Sequence, residues 1–91
     1  AFLKITVWDK NEERANGMAK EIADFLERQA KNTDAEVFGP FAGIIGKVRD
    51  LYRVNVLVKS TQINIFKTAL WHSPYRDMKN VYFDVDPFNV L

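Results

Sequence analysis

Two kinds of periodicity alternate along the chain, and the order in which they occur constrains its fold more than any other feature. From residue 3 to residue 7, apolar and polar side chains alternate, which is the period of a half-buried β-strand. An apolar stripe at helical spacing follows, up to about Ala30, and predicts an amphipathic helix. Asp9 and Asn11 precede it as candidate capping residues. The stripe consists of Ala15, Met18, Ala19, Ile22, Phe25 and Leu26.

The middle of the chain predicts two more strands. Residues 35–38 form a short apolar stretch that Gly39-Pro40 is expected to end, because proline cannot donate to a β-ladder. Residues 41–50 are predicted to form a loop, and residues 52–59 form the clearest strand of the chain. One face of that strand carries Tyr52, Val54, Val56 and Val58, and the other carries Arg53, Asn55, Leu57 and Lys59.

A second helix and a last strand complete the pattern. Ser60 or Thr61 is positioned to cap the helix. The helix should end near residues 71–73, because the residue preceding Pro74 resists the α region. Its apolar positions are Ile63, Phe66 and Leu70. After a turn, residues 81–85 alternate as a strand that Pro87 stops.

The resulting order is β-α-β-β-α-β within a single domain of residues 1–91. Such a chain packs two helices on one face of a four-stranded, mainly antiparallel sheet, the α+β arrangement called split βαβ or ferredoxin-like. A hydrophobic content of 47% in 91 residues is enough for a packed core. The fold hosts many unrelated functions, so function has to be argued from the residues of a site.

Composition excludes several classes of protein. The chain has no cysteine, so it has neither disulfides nor thiolate metal sites, which suits a reducing, cytoplasmic location. No apolar run approaches the roughly 20 residues that span a bilayer, so no membrane association is expected. A net charge of +1 predicts no polyanionic partner from bulk charge alone. Because the chain begins at Ala1 within a strand, we expect a domain excised from a longer protein.

Candidate catalytic and metal-binding residues are few. His72 is the only histidine, and a zinc site needs three or four ligands. Gly46-Lys47 resembles the end of a phosphate-binding loop, but Val48 replaces the Ser or Thr that would bind magnesium. Asp84 and Asp86 lie two apart on one strand, so their carboxylates should point to the same side. They could bind a cation, but a salt bridge to a neighbouring Lys or Arg is the favoured interpretation.

Basic residues cluster in the stretch from residue 47 to residue 59, where Asp50 is the only acidic residue. If residues 39–50 fold onto the open face of the sheet, these cations could form a stripe that contacts nucleic-acid phosphates. The alternative is an ordinary solvated face. The members of the stripe are Lys47, Arg49, Arg53 and Lys59.

Three motifs occur in a specific order along the chain. They are Val37-Phe38-Gly39-Pro40, then Leu51-Tyr52-Arg53 at the start of an apolar strand, then Asp84-Val85-Asp86-Pro87 near the end. In sequence, order and spacing they resemble the C-terminal domain of the primosomal replication-restart helicase PriA (primosomal protein N′). The resemblance extends over essentially the whole chain.

The resemblance implies a parent protein that is an ATP-driven 3′-to-5′ DNA helicase, with its motor and zinc-binding cysteines upstream. The fragment itself is then not an enzyme and has no cofactor, since ATP and zinc belong to the rest of the parent. Its implied role in primosome assembly is to help bind branched DNA and the acidic tail of single-strand binding protein, while packing against its own helicase core.

The family's structural motif falls on Gly39, Pro40, Tyr52, Asp84, Asp86 and Pro87. Members of the family often bind the acidic tail with an arginine early in the second helix. Ile63 stands near that position here, which leaves Lys59 and Lys67 as the nearest cations. The chain also departs from the family after Gly39-Pro40, where the usual proline-rich continuation is missing.

Two other functions remain open from the sequence. The first is a small-molecule regulatory module of the same topology, although no Gly-, Asp- or Asn-rich ligand loop follows the first strand. The second is a purely structural packing domain.

Overall fold

A computed structural model describes residues 1–48 and 50–86, and for residues 43–48 it describes the backbone only. The elements follow the predicted order β-α-β-β-α-β. They are β1 (Phe2–Asp9), α1 (Glu12–Ala30), β2 (Glu36–Val48), β3 (Leu51–Lys59), α2 (Ile63–Trp71), a short 3₁₀ helix (Pro74–Asp77) and β4 (Val81–Val85).

The four strands form one sheet with the spatial order β2-β3-β1-β4. Every neighbouring pair is antiparallel. β3 therefore lies between β1 and β2, the two strands that α1 connects, and β1 lies between β3 and β4, the two that α2 connects. This is the split βαβ arrangement that the sequence predicts.

The core lies between one face of the sheet and the two helices. Val54, Val56 and Val58 of β3 are buried there, and Tyr52 is half-buried against the same cluster. The predicted inward face of β3 is therefore confirmed. The helices contribute Ala15, Ala19, Ile22, Ala23, Leu26, Phe66 and Leu70. None of the helices in the described ranges is long and apolar enough to cross a lipid bilayer.

The start of α1 is fixed by the two residues that the sequence suggests as caps. Asn11 is the N-cap, and its side-chain oxygen accepts a hydrogen bond from the Arg14 backbone N–H at 3.0 Å. Asp9 accepts one from the Asn11 N–H at 2.8 Å and pairs with the Arg14 guanidinium at 3.1 Å. These interactions, the backbone bond from Asn11 foremost, lower the pKa of Asp9.

The second strand is longer than predicted. It was expected to end at Gly39-Pro40 and to be followed by a loop over residues 41–50, but β2 continues to Val48. Its pairing with β3 shifts register between Phe38 and Phe41 and again between Ala42 and Lys47. Because β2 is an edge strand, a proline at an irregularity costs no ladder hydrogen bond on its open side. The Gly39–Pro40 peptide bond is cis.

The start of α2 also differs from the prediction. The N-cap is Gln62 rather than Ser60 or Thr61, and its side chain makes no capping hydrogen bond. Ser60 instead accepts a hydrogen bond from the Gln62 N–H at 2.9 Å. The carboxylate of Asp34 accepts hydrogen bonds from the Ser60 hydroxyl (2.8 Å) and from the backbone N–H (3.1 Å) and hydroxyl of Thr61. One side chain thus links the end of the α1–β2 connection to the entrance of α2.

Candidate nucleic-acid interface

A groove of about 900 Å³ lies on the face of the sheet opposite the helices. It forms there because alternate residues of three strands point to this face, and no helix of the described chain covers it. Residues before and within β4 complete one side. The side chains that line the groove include Lys4, Thr6, Trp8, Arg53, Lys79, Tyr82 and Asp84.

Trp8 and Arg53 face each other across β1 and β3, where they are direct register partners. The Arg53 guanidinium carbon lies 5.8 Å from the centroid of the Trp8 ring, within cation–π range. The backbone of Trp8 is fixed by Asn80, whose carbonyl accepts the Trp8 N–H at 2.8 Å and whose side-chain amide donates to the Trp8 carbonyl at 3.0 Å. The groove therefore contains an aromatic ring on a fixed stretch of backbone, with the Arg53 guanidinium against the ring.

A buried polar pair that the sequence analysis did not single out joins β1 to β3, and one member, Thr6, lines the groove. The Thr6 hydroxyl donates to the side-chain oxygen of Asn55 at 2.8 Å. Asn55 is fully buried and Thr6 nearly so. Buried polar groups need such partners, so the bond allows two polar side chains to lie inside the sheet. Only the register of β1 against β3, Thr6 opposite Asn55, indicates it.

The charge in the groove is predominantly positive. Among the described residues that line it, Lys4, Arg53 and Lys79 are cationic and Asp84 is the one carboxylate. The Nε of Arg53 is buried, and no acceptor among the described residues bonds to it. The arrangement therefore favours an anionic ligand.

The predicted DNA-binding residues are distributed unevenly. Arg53 lines the groove, while Lys59 is exposed at the far end of β3, roughly 20 Å along the strand at 3.3 Å per residue. The backbone of Lys47 lies opposite Tyr52. The side chain of Lys47 and all of Arg49 lie outside the described residues. The structure adds Lys4 and Lys79, which the sequence analysis did not single out because they are distant in sequence.

Asp84 and Asp86 were expected to lie on one strand with their carboxylates on the same side. That prediction is wrong, because β4 ends at Val85. Asp84 is in β4, opposite Lys4 of β1. Asp86 lies beyond the end of β4 with a φ of 47°. Its carboxylate accepts a hydrogen bond from the Phe2 N–H at 2.9 Å, and its own N–H donates to the Phe2 carbonyl at 2.7 Å. With this positive φ, Asp86 leaves the strand and hydrogen-bonds through both its side chain and its backbone to Phe2, the first residue of β1.

The other residues that the sequence analysis singled out lie where the backbone geometry explains them. Gly39 has a φ of 107°, and a Cβ built on it would lie 2.7 Å from the carbonyl oxygen of Asn55. Pro40 follows it at the irregularity in β2, and Pro87 lies outside the described residues. His72 is the exposed C-cap of α2, and residues 1–48 and 50–86 bring together no group of three potential metal ligands.

A separate exposed surface lies at the end of α2. Lys67 and Trp71 are four residues apart on the helix, so they share one face, and the Trp71 side chain is 60% exposed. The Arg76 guanidinium lies 4.2 Å from the Trp71 ring centroid. Lys67, a predicted contact for an acidic tail, therefore shares a helix face with Trp71, whose ring is in contact with Arg76.

Comparison with known families agrees with the motifs and the fold. The model of the family described as the primosomal protein N C-terminal domain matches residues 1–88. A comparison with curated proteins gives no match. The family match spans almost the entire chain and supports a role in primosome function and replication restart. The chain therefore belongs to the primosomal protein N C-terminal domain family.

Proposed function

We propose that this domain docks branched DNA for a replication-restart helicase, and that the open face of its sheet is the contact surface. The family supports a role in replication restart. ATP hydrolysis and zinc binding, in this proposal, belong to other domains of the parent protein, and the domain itself contributes binding without catalysis.

The observation that carries the proposal is the charge of the groove. Three cations and one carboxylate line it among the described residues, in a chain whose net charge is only +1. Arg53 is held against Trp8 and has no ion-pair partner in the described part of the chain. Its charge therefore remains available to phosphate. A few such contacts give nonspecific affinity on the order of micromolar or weaker, which suits a domain that assists a larger DNA-binding protein.

A charge-reversal experiment tests the proposal. A fluorescently labelled fork should bind the wild-type chain at low salt, and Lys79→Glu should weaken binding because Lys79 is exposed at the rim of the groove. Lys31→Glu is the matched control, since Lys31 is equally exposed but lies at the end of α1. Equal loss in both variants would show that bulk charge, and not the groove, binds the DNA.

A second docking function is favoured by the surface around Trp71. We propose that Lys67, Trp71 and Arg76 contribute to binding the acidic tail of single-strand binding protein. An exposed aromatic ring with a guanidinium against it, and a lysine on the same helix face, offers both apolar area and positive charge to an acidic peptide. Lys67→Glu should weaken binding of an acidic tail peptide. Lys59→Glu tests whether Lys59, the other predicted contact for the tail, also contributes to this binding. Binding unchanged in both variants would place the peptide elsewhere.

A further inference from the structure

We infer that the groove binds the unpaired bases of single-stranded DNA, with Trp8 and Tyr82 as stacking surfaces and Arg53 and Lys79 as phosphate contacts. The inference rests on the proposed function, because both place DNA on the open face of the sheet. It adds the form of DNA that the face recognises.

The spacing of Trp8 and Tyr82 on the sheet fits the spacing of neighbouring bases in one strand. Tyr82 pairs with Thr6 across β1 and β4, and Trp8 lies two residues farther along β1 on the same face. The two rings are therefore diagonal neighbours, about 7–8 Å apart at their Cα atoms. Nucleotides of one strand are spaced by at least about 3.4 Å, so neighbouring bases can reach both rings.

The ring of Tyr82 is exposed and therefore available to stack on a base. Its side chain is 62% exposed on an edge strand, and it lines the same groove as Trp8, whose backbone is hydrogen-bonded to Asn80. Aromatic rings add nothing to phosphate contacts, but they stack on bases of any sequence. The bases of an intact duplex are not accessible to such rings, because they are stacked on each other.

Charge identifies the occupant as nucleic acid rather than an apolar protein segment. The rings are interleaved with Arg53 and Lys79, and one carboxylate, Asp84, opposes them among the residues described around the groove. Stacking surfaces combined with a positively charged groove are the usual composition of single-strand binding sites. A partner bound mainly by apolar contacts would leave these cations without counter-charges.

Intrinsic fluorescence allows the stacking to be tested directly. The chain has two tryptophans, so a Trp71→Phe variant leaves Trp8 as the only one. An oligothymidine should quench its emission and bind, whereas an abasic oligonucleotide of the same length should bind more weakly and leave the emission unchanged. This comparison requires no change within the groove.

Substitution of Tyr82 provides the second arm. Tyr82→Ala should reduce affinity for oligothymidine about 5- to 150-fold, which corresponds to the loss of one stacked base. It should leave the weak binding of the abasic strand unchanged. Trp71→Ala is the matched control, because Trp71 is a similarly exposed aromatic residue on α2, at the other face of the sheet. Its affinity should equal that of the wild type.

The outcomes separate the two proposals. If thymidine and abasic strands bind equally, or if Tyr82→Ala leaves the affinity for both unchanged, the inference is wrong. The proposed function would survive that result, provided that Lys79→Glu still weakens fork binding. A folded chain that binds no form of DNA at low salt would overturn both.

Discussion

The guanidinium of Arg53 lies over the ring of Trp8, its partner on the neighbouring strand, with 5.8 Å between Cζ and the ring centroid. Asp84 lines the same groove, yet no ion pair joins it to Arg53 in the described part of the chain. From the sequence alone, Arg53 could either bind DNA or form a salt bridge within the sheet. The contact with Trp8 positions the charge without neutralising it, so Arg53 can contribute to both stability and binding.

Replacing Arg53 should therefore affect two measurements. Arg53→Ala removes the cation–π contact and should lower the free energy of unfolding by about 0.5–1 kcal/mol, as measured by urea denaturation. It should also weaken binding to fork DNA. Lys59→Ala serves as the comparison and should leave the stability unchanged, because Lys59 is exposed at the end of β3. An unchanged stability for Arg53→Ala would mean that the contact with Trp8 contributes nothing to folding.

Two glycines should respond in opposite directions to the same substitution. Gly39 has a φ of 107°, and a Cβ there would lie 2.7 Å from the Asn55 carbonyl oxygen. Gly39→Ala should therefore destabilise the fold by at least about 1–3 kcal/mol. Gly17 lies within α1, and a Cβ at that position would meet nothing within 4 Å. Gly17→Ala should stabilise the fold by about 0.5–1 kcal/mol. Thermal melts of both variants that shift in the same direction would contradict the described backbone at Gly39.

Acid should weaken the connection between Asp34 and the start of α2. Hydrogen bonds from the Thr61 and Ser60 hydroxyls, then from the Thr61 N–H, lower the pKa of Asp34 below its usual 3.8. The ionised carboxylate therefore stabilises the fold fully above that usual pKa, and the contribution is lost as the pH falls through the lower, folded-state value.

Denaturation between pH 7 and pH 2 measures this contribution. Asp34→Asn should be less stable than the wild type at pH 7, and its stability should fall less on acidification. Ser60→Ala removes one of the donors to Asp34 and should behave in an intermediate way. If Asp34→Asn loses as much stability in acid as the wild type, other carboxylates account for the acid sensitivity.

Much of the fold follows from periodicity. The stripe from Ala15 to Leu26 predicts α1, and the alternation from Tyr52 to Val58 predicts the buried face of β3. The extension of β2 was missed because Gly39-Pro40 signals the end of a strand unless the strand lies at an edge, which the sequence does not specify. The groove was missed for a different reason. Trp8, Arg53 and Tyr82 are far apart in the chain, and only the strand register brings them together. The hydrophobic pattern of a single strand does not determine which residues face each other on neighbouring strands.

The salt dependence of fork binding tests the central claim most directly, because phosphate contacts displace counterions in proportion to their number. We predict a slope of roughly −2 to −3 in a plot of log affinity against log salt, because three cations, Lys4, Arg53 and Lys79, line the groove. Arg53→Ala and Lys79→Ala should each reduce the slope by about one unit, and Lys31→Ala should leave it unchanged. No binding at low salt by a chain that is demonstrably folded would contradict the account and favour a domain that only packs against its parent.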